Sequence, residues 1–301
     1  MSRNRRRYRI LDVFTDTPYG GNPLALVMEA DGLSGAQMQL IAREFALSET
    51  VFILPPRHRG HTHRLRIFTP TQELPFAGHP TIGAALTLAE EGWTDTEFVF
   101  EQGVGPVSVS LRQSKHLQTA WLHAPNPPEV GPPAPPTDAL ATVISLHPRD
   151  ILAGDWGPGM VSAGVPYLVV PVRDMDALGR AELDLQRWRE IVKDLWAPNV
   201  YLVAPVDGPG QTHYRARMFG PAIGIAEDSA TGSAATAFPA WLVPRLGLTA
   251  GVLTVTISQG FEMNRPSRLM IEVELSAGLI TTVRVGGTAV SIAAGTLQAP
   301  G

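Results

Sequence analysis

Glu73–Ala85, ELPFAGHPTIGAA, and Glu227–Ala237, EDSATGSAATA, share one design: an acidic residue, four intervening positions, then a glycine and a polar residue opening an alanine-rich run. In the first copy Glu73 lies five residues before Gly78, which His79 follows; in the second Glu227 lies five before Gly232, which Ser233 follows. Working outward, Arg66, Phe68 and Pro70 of RIFTP are matched by Arg217, Phe219 and Pro221 of RMFGP, 151 residues later in a chain of 301. TVFIL from Thr50 pairs with NVYLV from Asn199 at an offset of 149, NPLALV from Asn22 with VPYLVV from Val165 at 143, and Gln102-Gly103 with Gln259-Gly260 at 157. Five ordered pairs at a slowly drifting offset predict two similar lobes. Each ends a strand in a glycine-containing turn that opens a helix, and the two turns are expected to face each other.

Composition agrees with this plan. A chain of 301 residues that is 44% hydrophobic can fill two cores. A net charge of −4 argues against a general nucleic-acid surface or an anionic membrane as partner. The basic run Arg3–Arg7 precedes no long apolar segment, so it reads as a short solvated tail rather than a signal or a membrane span. Cysteine is absent, which removes disulfides, thiolate zinc sites and thiol nucleophiles and makes the cytoplasm the expected location.

Along the chain, RILDVF, Leu24–Met28, VFIL, LRIFT, TEFVFEQ, GPVSVSLRQ and WLHAP read as strands of a first lobe over residues 8–125. Ser34 caps an amphipathic helix carrying Met38, Ile41, Ala42 and Phe45, which ends near Leu47 and leaves Glu49 at a helix-to-strand junction. His58, His61 and His63 in PRHRGHTHR lack a nearby carboxylate in sequence, so they read as a solvated loop rather than a metal cluster. Residues 126–136, NPPEVGPPAPP, read as a linker. A second lobe over residues 137–285 repeats the plan, and the final strand, 286–298, has the option of completing the first lobe.

Two helix N-termini facing a cleft suit a small carboxylate, and Gly78 and Gly232 allow close backbone approach. Glu49, His79, Asp228 and Ser233 would supply proton donors and acceptors there, without a strong nucleophile or a metal set, which suggests proton transfer on a carboxylate-bearing small molecule. Each residue also has a structural reading: His79, Asp228 and Ser233 as caps, Glu49 as a junction residue. Glu73 and Glu227 are expected to bond the local backbone.

GNPLALV, ALSETVF, FTPTQELPFAGHPTIG, EDSATGSA, SQGFEMNRPS and VRVGGTAV, in that order from about Arg9 to Gly295, strongly resemble the PhzF-like phenazine biosynthesis proteins, relatives of diaminopimelate epimerase and proline racemase. The resemblance implies an α+β fold of two pseudo-symmetric lobes, each a mixed barrel-like sheet around a central helix, the diaminopimelate epimerase-like fold, and a homodimer. It implies a cofactor-free, metal-free isomerase, in the founding case acting on trans-2,3-dihydro-3-hydroxyanthranilate. It assigns the catalytic glutamate to Glu49, the other site residues to His79, Asp228 and Ser233, and binding roles to Gly78, Gly232 and Thr231. The racemase relatives carry cysteines just before each turn glycine; here those positions are Ala77 and Thr231, so a two-thiol mechanism is excluded chemically. Two other readings remain: an amino-acid epimerase using Glu49 and Asp228 as opposed bases, and a binding protein without turnover.

Overall fold

Alternating apolar residues build β1 (Arg5–Val13), β2 (Asn22–Val27) and β3 (Glu49–Leu54), with β1 antiparallel to β2 and β2 parallel to β3. The computed structural model describes residues 5–114, 117–208 and 210–301. They form two units, one built from the chain up to His123 and from Gly286 onward, the other from Ala124–Val285.

In the first unit the parallel step from β2 to β3 is bridged by α1 (Gly35–Phe45). Ser34 caps α1 in a capping box with Gln37. Met38, Ile41 and Ala42 on its buried face pack with Val27, Phe52, Leu54 and Phe68. β3 then pairs antiparallel with β4 (His63–Phe68), which is joined by the two-residue β5 (Glu73–Leu74). α2 (Gly78–Glu90) bridges the parallel step from β4 to β6 (Glu97–Gln102). β7 (Gly105–Ser114) and β8 (Leu117–His123) follow antiparallel. The last strand in the chain, β18 (Ala289–Gln298), lies antiparallel to β1.

α2 is buried from Gly78 through Leu88, as expected of a helix that is apolar all round. It packs against β1, β2, β3, β7, β8 and β18. Strands from both ends of the pairing order therefore touch one helix, and the sheet curls around it as a barrel. A Cβ on Gly83 would meet the Leu24 side chain and come within 3.2 Å of that of Val13, so glycine here lets these side chains pack close against the helix.

The second unit repeats this order. β9 (Glu129–Val130), β10 (Gly159–Ser162) and β11 (Pro166–Pro171) pair antiparallel in turn, and β11 is parallel to β12 (Asn199–Pro205). β12 pairs antiparallel with β13 (His213–Gly220), which carries β14 (Ile225–Asp228). α6 (Gly232–Leu246) bridges the parallel step to β15 (Gly251–Gln259), and β16 (Ser267–Ser276) follows antiparallel, then β17 (Leu279–Gly287). α6 is buried from Ala234 through Val243 and packs against β9, β10, β11 and β16. The outer cover consists of α3 (Thr137–Val143), α4 (Met175–Arg180) and α5 (Leu185–Ile191), whose Leu140, Leu178 and Trp188 pack with Leu168, Val200 and Leu202.

The structure departs from the sequence reading in several places. The basic run is not a free tail: Arg5–Arg7 begin β1, and Arg7 pairs with Glu29 and Glu91, while Arg3 lies outside the described residues. The Pro-rich stretch contains β9, paired to β10, so it is part of the second unit's sheet. α4, a short helix capped by Asp174, had no clear periodic signal. Finally, the internal match shifts by one residue. Thr50 stands opposite Phe68 as Val200 stands opposite Phe219, so Glu49, not Thr50, is the counterpart of Asn199.

The repeated Arg and Glu around each turn form the same device twice, and Glu73 and Glu227 bond arginine rather than the local backbone. Arg66 grips Glu73 at 2.7 and 2.6 Å, and Arg217 grips Glu227 at 2.8 and 2.9 Å. Each guanidinium also sits over the phenylalanine two residues on, at 5.1 Å from Phe68 and 5.0 Å from Phe219. The copies differ in burial: side-chain exposure is 26% and 43% for the first pair and 9% and 18% for the second. Arg217 additionally donates to the Leu178 and Ala181 carbonyls. Removing one partner of a buried pair strands the other, whereas an exposed pair contributes little. Urea denaturation is therefore expected to show Arg217→Ala losing about 3–5 kcal/mol and Arg66→Ala about 1 kcal/mol or less; equal losses would contradict this account of the two turns.

Candidate active site

α1 ends at Ala46 in a left-handed conformation, and three residues later β3 begins with Glu49. The approach is fixed by Ser48, whose hydroxyl lies within donating distance of Asn22 Oδ1 (3.1 Å) and the Pro23 carbonyl (3.3 Å) on β2. Glu49 stands opposite Leu24 in the parallel pair. Its Oε2 is 3.4 Å from Nε2 of His79, the second residue of α2, with only 13% of the Glu49 side chain and 6% of the His79 side chain exposed. Burial disfavours the charged carboxylate and pushes Glu49 up to about 7, with the Ser48 hydroxyl opposing the shift only in part. A carboxyl group tuned to neutral pH can both accept and return a proton.

In the second unit, Asp228 ends β14 and Ser233 is the second residue of α6. The Thr231 hydroxyl donates to Asp228 Oδ2 at 2.7 Å, and Ser233 Oγ is 2.6 Å from Tyr167 Oη on β11. Gln259 on β15 donates to the Asp228 carbonyl and the Thr231 hydroxyl, while its Oε1 accepts from the Thr231 N–H. Thr231 is thus committed to the protein through both its hydroxyl and its N–H. It thereby orients Asp228.

The repeated Gln-Gly pair explains how each turn is held. Gly260 has φ +79°, and a Cβ there would meet the Ser229 backbone, 3.1 Å from its Cα, and the Arg265 carbonyl. Gly103 plays the same part against Pro75, whose Cα would lie 2.7 Å from an added Cβ, and Gln102 donates to Thr81 Oγ1 in α2. Ser229 and Pro75 each lie three residues before their turn glycine. Neither central helix has a side-chain N-cap; the capping positions are Ala77 and Thr231, not His79 or Ser233.

The first unit therefore brings together Glu49, Gly78 and His79, and the second brings together Asp228, Thr231, Gly232 and Ser233. Sequence reasoning missed Ser48, Asn22, Tyr167 and Gln259 as supporting residues. Asn22, Tyr167 and Gln259 fall inside matched repeat segments, and that was the available signal. In the histidine-rich loop, His61 Nδ1 lies 3.0 Å from Glu101, a carboxylate distant in sequence. Among the described residues no group of three or more His, Asp or Glu is placed to hold a metal, and no helix is long and apolar enough to cross a membrane.

A family model described as phenazine biosynthesis-like protein (PhzC-PhzF) matches residues 11–295. The chain belongs to this family. It is 40% identical to an uncharacterized isomerase of Mesorhizobium japonicum, over 97% of this chain and 98% of the relative. It is 37% identical to the trans-2,3-dihydro-3-hydroxyanthranilate isomerase of Pseudomonas fluorescens, over 96% of this chain and 98% of the relative. The fold matches that of a PhzF-family phenazine biosynthesis protein of Bacillus anthracis with a TM-score of 0.87 at 23% identity, over 97% of this chain and 99% of that one. These relatives place the chain among isomerases, on the α+β fold that the resemblance implies.

Because Glu49 binds its proton more tightly in the folded chain than at the ordinary value of 4.5, its contribution to stability is full below about 4.5 and is lost as pH rises through about 7. At about 1.4 kcal/mol per pH unit the loss amounts to about 3 kcal/mol. Glu49→Gln escapes it. Denaturation of both proteins from pH 4 to pH 8 is expected to show the variant gaining up to about 3 kcal/mol over wild type across that range; a difference that does not change with pH would contradict the buried carboxylate.

Proposed function

We propose that this protein is a PhzF-type isomerase that moves one proton, by acid–base catalysis without a cofactor, on a small ring carboxylate bearing an amino or hydroxyl group. The observation that carries the reading is Glu49, a carboxyl group kept from water beside His79 and shifted to about 7 by burial. As carboxylate, Glu49 removes a proton from a ring carbon; the electron pair delocalises over the conjugated system. Protonated Glu49 then returns the proton to another carbon on the same face, so the double bonds shift and no atom is gained or lost. One group serves both steps, and its proton affinity, near neutrality, suits each direction.

The remaining groups bind. In the first unit His79, beside Glu49, holds the substrate's amino or hydroxyl group and the N–H group at Gly78 receives its carboxylate; Asp228, oriented by Thr231, with the N–H groups at Gly232 and Ser233, forms the corresponding binding set of the second unit. The identity to a named trans-2,3-dihydro-3-hydroxyanthranilate isomerase makes that compound the substrate to try first. The homodimer and the cytoplasmic location implied by the resemblance and by the absence of cysteine belong to the same proposal.

The test follows absorbance and deuterium incorporation together on trans-2,3-dihydro-3-hydroxyanthranilate in heavy water. Wild type is expected to turn it over, with kcat/KM rising with pH through about 7 as Glu49 ionises. Glu49→Gln is expected to lose about 10²–10⁴-fold in kcat while substrate binding stays within a few-fold. Undiminished turnover by the variant would remove Glu49 as the base; absence of both turnover and binding in wild type would remove this substrate.

A further inference from the structure

The histidine-rich loop between β3 and β4, with the strands beside it, encloses a cavity of about 970 Å³ lined by residues of the first unit alone. That volume suits a small organic ligand. Arg64 on β4 stands opposite Glu101 on the parallel β6, and Arg66 lies two residues further along β4. Residues opposite one another, and those two apart along a strand, share a face of the sheet. All three line the cavity, together with Arg57 of the loop and Glu73 of β5. Neither Glu49 nor His79 does, so the cavity is a place apart from the candidate active site.

Both carboxylates in the cavity are already committed. Glu73 is held by two nitrogens of Arg66. Glu101 accepts from the Arg57 N–H at 2.9 Å and the His58 N–H at 2.7 Å, and its Oε1 lies 3.0 Å from His61 Nδ1. The loop thus occupies the one carboxylate that strand pairing sets opposite Arg64. Among the described residues the guanidinium groups of Arg57 and Arg64 form no hydrogen bond or ion pair, and Arg64 Nε is shielded from water without an acceptor. Burial, and then the like charges of Arg57 and Arg66, lower the proton affinity of Arg64. Three guanidinium groups share one space, and a side-chain carboxylate grips only that of Arg66. An anion placed between the other two relieves both the repulsion and the missing acceptor.

We infer that this cavity binds a phosphate group, free or on a small ester, through the guanidinium groups of Arg57 and Arg64. A planar guanidinium matches phosphate oxygens two at a time. Phosphate carries nearly two negative charges at neutral pH, against one for a carboxylate, and so answers both unpaired cations. Glu101 already fastens the loop at Arg57, so binding does not have to order that segment first. The histidine-rich loop thereby gains a role as the wall of an anion site. The inference goes beyond the isomerase reading and stands without it.

The test is calorimetric titration of the full chain, at one fixed salt concentration, with inorganic phosphate, glycerol 3-phosphate and acetate. Wild type is expected to bind a phosphate ligand about 10-fold or more tightly than acetate. Tighter binding of glycerol 3-phosphate assigns the site to an ester, and tighter binding of inorganic phosphate to the free ion; either supports the site. Arg64→Met, which keeps the apolar stem, is expected to weaken phosphate binding about 10-fold or more. Arg57→Gln, in an exposed loop where misfolding is of least concern, is expected to weaken it about 3-fold or more. Arg43→Gln removes an exposed arginine outside the cavity and is expected to change nothing. Phosphate bound no more tightly than acetate, phosphate binding that survives in both cavity variants, or an equal loss in Arg43→Gln would overturn the inference and leave the isomerase reading standing.

Discussion

The glutamine–glycine pair that follows each central helix by one strand is the constraint on which the site depends. In the second unit Gln259 holds the Asp228 carbonyl, the Thr231 hydroxyl and the Thr231 N–H, while Gly260 lets the Ser229 backbone come close enough to be held. Gln102 and Gly103 do the corresponding work against Thr81 and Pro75. A helix start fixed in this way needs no capping side chain, and both helices lack one. The residues just past the turn glycines, His79 and Ser233, are carried to fixed positions.

Two glutamates of the first unit show what decides a carboxyl group's proton affinity. Burial alone would raise Glu101, but the Arg57 and His58 N–H groups and the His61 ring outweigh it and hold Glu101 down at about 2. Glu49 is also buried, with only the Ser48 hydroxyl opposing, and it rises to about 7. The number of donors directed at the carboxylate separates a structural anion from a proton carrier. Glu101 fastens a loop; Glu49 has the affinity that proton transfer at neutral pH requires.

Much of this was legible in the chain. The repeats located both turns and both central helices, because glycine at a close approach and an apolar run at the helix leave little freedom. Ser34 as a cap and Met38, Ile41 and Ala42 as a buried face followed from periodicity alone. Partners distant in sequence were not legible. Glu73 and Glu227 were expected to bond backbone, but the strand register delivers Arg66 and Arg217 to them instead. The one-residue shift that equates Glu49 with Asn199 needed the pairing of β3 with β4 and of β12 with β13, since TVFIL and NVYLV look better matched as letters than as sheet positions. Burial of Glu49 was inferable from Val51 and Phe52, but its distance from His79 was not.

The central claim is that Glu49 is a carboxyl group with a proton affinity near neutral, and infrared difference spectroscopy of wild type minus Glu49→Gln across pH 4 to 9 measures it directly. The account predicts one carboxyl group converting to carboxylate with a midpoint near 7. A midpoint at the ordinary glutamate value of 4.5 would contradict it, because Glu49 would then be a solvated anion with no particular fitness for carrying a proton.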